Sequence, residues 1–454
     1  MIQAFELPTE VGRYDTTSVN VHHSPQDNQK GLLNFGHSKD KRPDLLQFKQ
    51  GLGVLDPAGI PIFSETIAGN NADDPLYVPA WRKMATTIGN TDFLLVSDCK
   101  GAALETRSQI AQEHGLYLFP LAKTGNLPEE LTNLVKNPPT TPQDLIQPEV
   151  NNQGNQLVIG KGFVVDKQLE CGTHVWSERW FVVRSNSHAR RQIRARTERL
   201  QKAKTALNRL TPRKDEQRSH FLQRALNLKK KYSLERVIDI QIEELVKPQK
   251  HYLKRGSPNP DTPYEMIETR QLKLHFTINQ ALLKDEELLA GWRIYVTNAP
   301  AKRMTLELRC QYYRGEWLVE HSFHRFKKGK LPVLPLFLRL DERIRGLLML
   351  LSVALQVLTL IEFVIQRELA ANSETVSGLV PGNPKMKTAR PTTERIINKF
   401  KQLHIVLTVA GKHLKAFLVE TLTPLQQRLL ALMNVPIEIY ERLSFRQPIC
   451  HFIT

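Results

Sequence analysis

The sequence predicts an α/β chain: a mixed sheet flanked by helices, interrupted by a β-rich insertion that carries a basic helical hairpin. Three observations predict it. The first 125 residues run strand, strand, strand, helix, strand, helix, strand. Residues 186–232 switch to a helical period loaded with Lys and Arg. Three acidic residues, far apart in the chain, fall on strand, strand end and helix.

Taken in order, residues 10–22 read as a strand rich in Val, Thr and Tyr. Residues 46–55 (LQFKQGLGVL) and 60–67 (IPIFSETI) read as two more strands around Asp56-Pro57-Ala58-Gly59, where Pro and Gly suit a reversal. Residues 74–88 read as helical after Pro79, and 92–97 as a short apolar strand. Ala102 to His114 reads as an amphipathic helix ending at Gly115, and Leu116 to Leu121 as a strand. Strands joined through helices imply parallel pairing next to the antiparallel meander, a mixed sheet of the ribonuclease H-like kind.

Residues 124–157 read as a connector, with Pro138, Pro139 and Pro142 and an Asn/Gln/Gly cluster at 151–156. Residues 157–184 return to strand patterning, with Trp176 and Trp180 as core candidates. In the hairpin, Ile193, Leu200 and Leu207 recur at seven-residue intervals and Thr211-Pro212 marks the bend. Residues 235–297 read as strand-rich, and 303–370 as strand, helix and a long apolar helix. Gly378 to Pro391 reads as a linker and 392–454 as two or three helical stretches. The expected organisation is a first core part (1–125), an insertion subdomain (126–300), a second core part with the acidic helix (301–377) and a linker with a helical C-terminal region (378–454).

The net charge of +17 points to a polyanionic partner. It is uneven: residues 190–231 hold fifteen Lys or Arg against Glu198, Asp215 and Glu216, a net +12. That hairpin, beginning with Arg190, Arg191 and Arg194, reads as a DNA-backbone surface whose affinity would be salt-dependent and sequence-blind. Cys99, Cys171, Cys310 and Cys450 form no CxxC pair and are too sparse for a disulfide framework, which argues against structural zinc. No signal peptide is read at the N-terminus. Gly346 to Ile365 is long and apolar enough to test as a membrane span, yet it contains Ser352, Gln356, Thr359 and Glu362. A buried core helix is the preferred reading, with a cytoplasmic chain and no membrane partner.

The acids are Asp15 in VGRYDTTSVNV, Asp98 in DFLLVSDCK and Glu320 in YYRGEWLVEHSFHRFK. Any one alone is a solvated or capping residue. Together they suit two Mg²⁺ ions per site, with Mn²⁺ as a substitute, since converging carboxylates can bridge attacking and leaving oxygens of a phosphoryl transfer. Carboxylate ligands disfavour zinc.

Around these residues the chain resembles bacterial insertion-sequence transposases of the DDE type, in the branch marked by Y-x2-R-x3-E-x6-K. Tyr313, Glu320 and Lys327 match the spacing; Glu316 stands where the motif has Arg, with Arg314 as a substitute in a YRxxWxxE variant. DTTSVNV, GHSKDKRPDLLQ, GIPIFSETIAGN and WSERWFVV also resemble that branch, so the likeness covers most of residues 8–370. It implies a ribonuclease H-like core, catalytic and metal-binding roles for Asp15, Asp98 and Glu320, and cut-and-paste transposition. DNA partners would be terminal inverted repeats and target DNA, engaged by a homodimer. Tyr313, Arg314 and Lys327 would hold phosphates near the cut, and in a helix over 313–327 residues 313, 316, 320 and 327 lie on one face. Lys39, Lys41 and Arg42 would contact flanking DNA or form a solvated loop. Trp292 would stack a flipped base or pack in the insertion's β-core; both fit. With fourteen residues before Asp15, the resemblance implies a copy lacking the upstream DNA-binding domain. A ribonuclease H-like host nuclease and a non-catalytic DNA-binding remnant remain the alternatives.

Overall fold

The computed structural model describes residues 1–24, 31–150, 156–214, 216–253, 256–260, 262–410, 413–418 and 420–440. Cys450 lies outside them, as does the last part of the expected C-terminal helical region. The chain forms two compact units, one holding Met1–Ala122, Asp166–Arg179 and the described residues from Val296 onward, the other Lys123–Val165 and Trp180–Tyr295. Residues 166–179 thus leave the span expected for the insertion.

The first unit is built on a mixed sheet flanked by helices. Its N-terminal elements are β1 (Val11–Val21), β2 (Leu46–Leu55), β3 (Ile60–Ala68), α1 (Tyr77–Ile88), β4 (Leu94–Val96), α2 (Leu104–Gln112) and β5 (Leu116–Pro120). β1 pairs antiparallel with β2 from Gly12↔Leu55 to Val21↔Leu46, and β2 pairs antiparallel with β3. β1 pairs parallel with β4, and β4 with β5. This is the meander followed by crossover strands that the pattern implies. The β2–β3 reversal falls on residues 56–59, with Gly59 at φ +65°, a conformation side-chain-bearing residues resist.

Period-2 alternation sends β1 side chains to two faces. Tyr14 meets the Tyr77 ring edge-on at 5.3 Å on the α1 side. Val19 and Val21 join the opposite core, with Phe48, Leu52 and Val54 of β2 and with Val319, Phe323, Ile344 and Leu348 from later in the chain. In chain order, the second unit supplies α3 (Leu127–Lys136), β6 (Gln143–Val150), and parts of β7 (Gln156–Cys171) and β8 (His174–Ser185). It continues with α4 (Asn186–Asn208), α5 (Arg218–Lys231), β9 (Ile238–Tyr252), β10 (Tyr264–Ile278), α6 (Gln280–Leu289) and most of β11 (Trp292–Thr297). The hairpin expectation is met by α4 and α5, where Ala203, Leu207 and Ala225 are buried and Leu200 packs on them. Helix α6 interrupts the region read as strand; Asn279 caps it by accepting from Leu282 N at 3.1 Å.

The first unit resumes with α7 (Leu306–Arg314), α8 (Trp317–Lys327), α9 (Asp341–Ala371), α10 (Thr393–Phe400), β12 (Ile405–Ala410), β13 (His413–Leu418) and α11 (Pro424–Leu432). Three readings need correction here. Residues 313–327 are not one helix: Arg13 Nη2 donates to the Tyr312 carbonyl at 2.6 Å, and Gly315 N turns back to the same oxygen at 3.1 Å. The carbonyl that an unbroken helix would offer to residue 316 is therefore used, and α8 starts afresh at Trp317. Second, residues 378–391 are not a free linker, since Leu379 is buried and Val376 bridges Thr388. Third, the strand read at the start of 303–370 is helix α7; between α10 and α11, Ile405–Ala410 and His413–Leu418 pair antiparallel, in keeping with the β-branched run Ile405, Val406, Thr408, Val409.

Helix α9 is, among the described residues, the one helix long and apolar enough to cross a membrane. In this unit one side of it is core: Ile344, Leu348 and Leu355 are buried, and Ser352 Oγ meets Ser64 Oγ of β3 at 2.7 Å. Glu362, mid-helix, pairs with buried Arg325 at 2.7 Å, and Arg325 also pairs with Glu394 at 2.8 Å. The polar residues that interrupt the apolar run are thus satisfied by protein neighbours.

Three substitutions test this packing. Leu355→Ala should cost about 2–5 kcal/mol, whereas Val357→Ala, on the exposed side, should stay within about 0.5 kcal/mol, both read by urea unfolding. Arg13→Met should cost about 3 kcal/mol in the same measurement, because it strands the Asp56 carboxylate.

Candidate active site

Strand β1 places Asp15 at mid-strand, opposite Leu52 of β2. β4 ends at Val96, and Asp98 stands two residues beyond it on the parallel neighbour of β1. Asp98 caps a short turn: its Oδ1 accepts from Lys100 N at 3.0 Å and from the Tyr77 hydroxyl at 2.7 Å. Burial and the nearby Asp98 and Asp15 charges push the Tyr77 hydroxyl well above its ordinary range, so it stays a donor.

Asp15 accepts from Thr16 N at 2.7 Å and from Lys39 Nζ at 3.3 Å. Its carboxyl is pushed up to about 6, chiefly by burial; Lys39 opposes this and Asp98 adds to it. The two aspartates therefore feel one another, as carboxylates sharing a site do. Burial, together with Glu320 and Asp98, also raises the Glu316 carboxyl above its usual range, while Tyr313 and Arg13 oppose the shift. Four acids, on β1, after β4 and at the start of α8, lie in one electrostatic neighbourhood. Glu320 itself is exposed on α8.

The fit to a metal divides. Asp15 and Asp98 offer the hard oxygen donors a divalent cation takes. Among the described residues, however, no three His, Cys, Asp or Glu side chains converge closely enough to hold a metal ion, so a three-carboxylate cage including Glu320 is not formed.

The lysines form a second layer. Lys39 sits on Asp15 rather than standing free, and Lys39 N donates to Ser18 Oγ at 2.9 Å, anchoring its loop on β1. The next residue, Asp40, accepts from Lys327 Nζ at 3.1 Å. Arg42 pairs with Asp44 at 2.7 Å on the surface, and Lys41 is exposed with φ +59°. Tyr313 lies at the end of α7, partly buried, with the Arg309 guanidinium 5.6 Å from its ring; Arg314 is exposed. The α7–α8 break corrects the expectation that 313 and 320 share one helical face.

In the second unit, Arg190 and Arg191 are exposed on α4, and Arg194 pairs with Glu198 at 2.9 Å. Trp292 is only 4% exposed, packed 6.0 Å from Phe163 with Lys161 Nζ 6.0 Å from its ring centre. Of its two readings the structure supports the packed one: no face of the indole is open for a base. Trp176 and Trp180 are buried as expected; Trp176 Nε1 donates to Tyr117 Oη at 2.8 Å, within a buried cluster where Arg107 pairs with Glu178 at 2.6 Å.

Sequence reasoning missed Tyr77 and Glu316 as members of this site. Glu316 carried a signal, the off-motif acid four residues before Glu320; Tyr77, within an ordinary helical run, carried none.

No family model matches the chain, and no curated protein matches it. Among solved structures it is similar to a piggyBac transposase in a synaptic complex with hairpin DNA, at 10% identity and a TM-score of 0.23 over 87% of this chain. The chain spans 62% of that protein's length. A likeness at that level carries no weight for function, which is argued below from the residues.

The raised Asp15 carboxyl has a consequence for stability. Between about pH 4 and 6 the folded state holds a proton that the unfolded chain has released, so this group's contribution declines as pH rises through that window. Asp15→Asn should therefore stabilise the fold by about 1–2 kcal/mol at pH 8, with the gain vanishing by about pH 4, in urea unfolding followed across pH. A difference that does not vary with pH would contradict the assignment.

Proposed function

We propose that this chain is a DNA-processing phosphoryl transferase of the DDE transposase kind, on a ribonuclease H-like core, with Asp15, Asp98 and Glu320 as its catalytic acids. The observation that carries the reading is the placement of Asp15 at the middle of β1 and of Asp98 just past the end of its parallel neighbour β4, near enough that Asp98 weighs on Asp15 and on Glu316 at the start of α8. A parallel strand pair beside an antiparallel meander, with acids at the middle of one strand and past the end of the other, is the arrangement the motif resemblance requires.

In this reading the chain's own groups have separate tasks. Tyr77 and Lys100 N fix the Asp98 carboxylate. Asp15, anchored by Thr16 N and by Lys39, presents its carboxyl beside Asp98. Lys39, Lys327 and Arg314 supply positive charge for the strand being cut, and the basic α4–α5 hairpin supplies sequence-blind backbone affinity. Mg²⁺, or Mn²⁺ in its place, would be held by Asp15 and Asp98 and would supply charge neutralisation at the reacting phosphate. The substrate would be transposon ends and then target DNA, handled by two copies of the chain.

A second reading, a DNA-binding remnant without catalysis, is favoured by Glu316. An acid where the motif has Arg, beside Asp98 and Glu320, repels a phosphate instead of holding it.

The test is Mg²⁺-dependent nicking of DNA carrying the element's ends, comparing wild type with Asp98→Asn, which keeps the cap acceptor and removes the charge. The variant should fold normally and lose more than about 100-fold in nicking, beyond the loss of an outer partner. Equal nicking by both would overturn the site; binding without nicking by wild type would favour the remnant.

A further inference from the structure

The β9–β10 ribbon of the second unit presents a surface that the functions assigned above leave unused. Its registers run from Ile238↔Ile278 at the base to Tyr252↔Tyr264 at the far end. Alternation divides its side chains between two faces. At the base of the even-numbered face, Ile238, Ile240, Leu274, Phe276 and Ile278 pack with α4 and α5. The odd-numbered face has no such cover: Lys247, Gln249, Gln271 and Lys273 are all exposed.

The composition of that face is specific. Glutamine amides can pair two-point with adenine in the major groove, and lysines reach guanine or phosphate. Thr269 Oγ1 donates to Gln249 Oε1 at 3.1 Å, which orients that amide and leaves its NH₂ as a donor. On this face Glu243 Oε2 lies 2.9 Å from His275 Nε2. Among the described residues Lys247 and Lys273 have no ion-pair partner. Asp239 at the base and Glu265 near the far end are further acids on this face. The same ribbon is continuous with the basic hairpin, since Arg218 of α5 donates to the Ile242 carbonyl of β9 at 3.2 Å. A two-stranded ribbon is one of the elements the major groove admits, and residues 247–251 span about 14 Å against a groove about 12 Å wide.

We infer that the odd-numbered face of the β9–β10 ribbon docks in the major groove of duplex DNA, reading base edges through Gln249 and Gln271 with Lys247 and Lys273 on the flanking phosphates. The inference rests on the reading of this chain as a DNA-processing enzyme, and adds to it a source of sequence preference that the basic hairpin alone lacks.

The experiment uses the full chain and duplexes enriched by it from a random-sequence pool. Wild type should prefer an enriched duplex over a scrambled one. Gln249→Ala/Gln271→Ala should lose about 10-fold or more of that preference while keeping its affinity for scrambled DNA. Lys247→Ala/Lys273→Ala should weaken binding to both and lower the salt slope by about 2. Replacing adenine by 7-deazaadenine in the enriched duplex, which removes the N7 acceptor, should cost wild type affinity and leave the glutamine variant unaffected. All four side chains are on the surface, so unchanged circular dichroism is expected for each variant. Wild type that prefers the enriched duplex, with both variants matching it, overturns the ribbon assignment alone. Wild type that binds no duplex overturns the DNA reading with it.

Discussion

One guanidinium fixes the frame of the candidate site. Arg13 lies in β1, two residues before Asp15, and is 2% exposed. Its planar fork meets both oxygens of Asp56 at 2.6 Å, and Nη2 also meets the Tyr312 carbonyl at 2.6 Å. A buried cation must be paired to be tolerated, and a fork makes that pairing directional. The strand, the β2–β3 turn and the end of α7 are thereby tied at one point. The space is exact enough that a Cβ at Gly315 would lie 2.3 Å from Nη2. Because Arg13 occupies the Tyr312 carbonyl, it sets where α8 begins, and with it the positions of Glu316 and Glu320.

Around that frame the charges are in tension. Burial, with acids gathered at one end of the sheet, raises the Asp15 and Glu316 carboxyls, and among the described residues Lys39 alone contacts Asp15 as a counter-ion. One loop holds both relevant lysine contacts: Lys39 rests on Asp15, and its neighbour Asp40 holds Lys327. A phosphate arriving here would compete with Asp40 for Lys327, and a cation would compete with Lys39 for Asp15. Concentrated like charge of this kind costs stability and is a mark of functional sites rather than of packing.

Much of the first unit was legible in sequence because its signals are local. The meander shows in the alternation of β1 to β3 and in Asp56-Pro57-Ala58-Gly59; the crossovers show in Phe93–Val96 and Leu116–Leu121. The α4–α5 hairpin shows in its heptad-spaced Ile193, Leu200 and Leu207. What was not legible depends on distant partners. The break at Gly315 is imposed by an arginine 299 residues away from the carbonyl it takes. Trp292 sits at a strand position where either burial or exposure fits the pattern, and its burial is decided by Phe163. The strands β12 and β13 share their apolar composition with short helices, and periodicity over six residues does not separate the two.

The claim on which the rest depends is that Asp15 and Asp98 form one cation-accepting centre to which α8 belongs. Iron-directed cleavage tests it most directly: Fe²⁺ replaces Mg²⁺ and peroxide generates hydroxyl radicals wherever the ion is held. The account predicts backbone cuts clustered near Asp15, Asp98 and the Glu316–Glu320 turn, all suppressed by excess Mg²⁺. Cuts absent from these three segments, or insensitive to Mg²⁺, would contradict it.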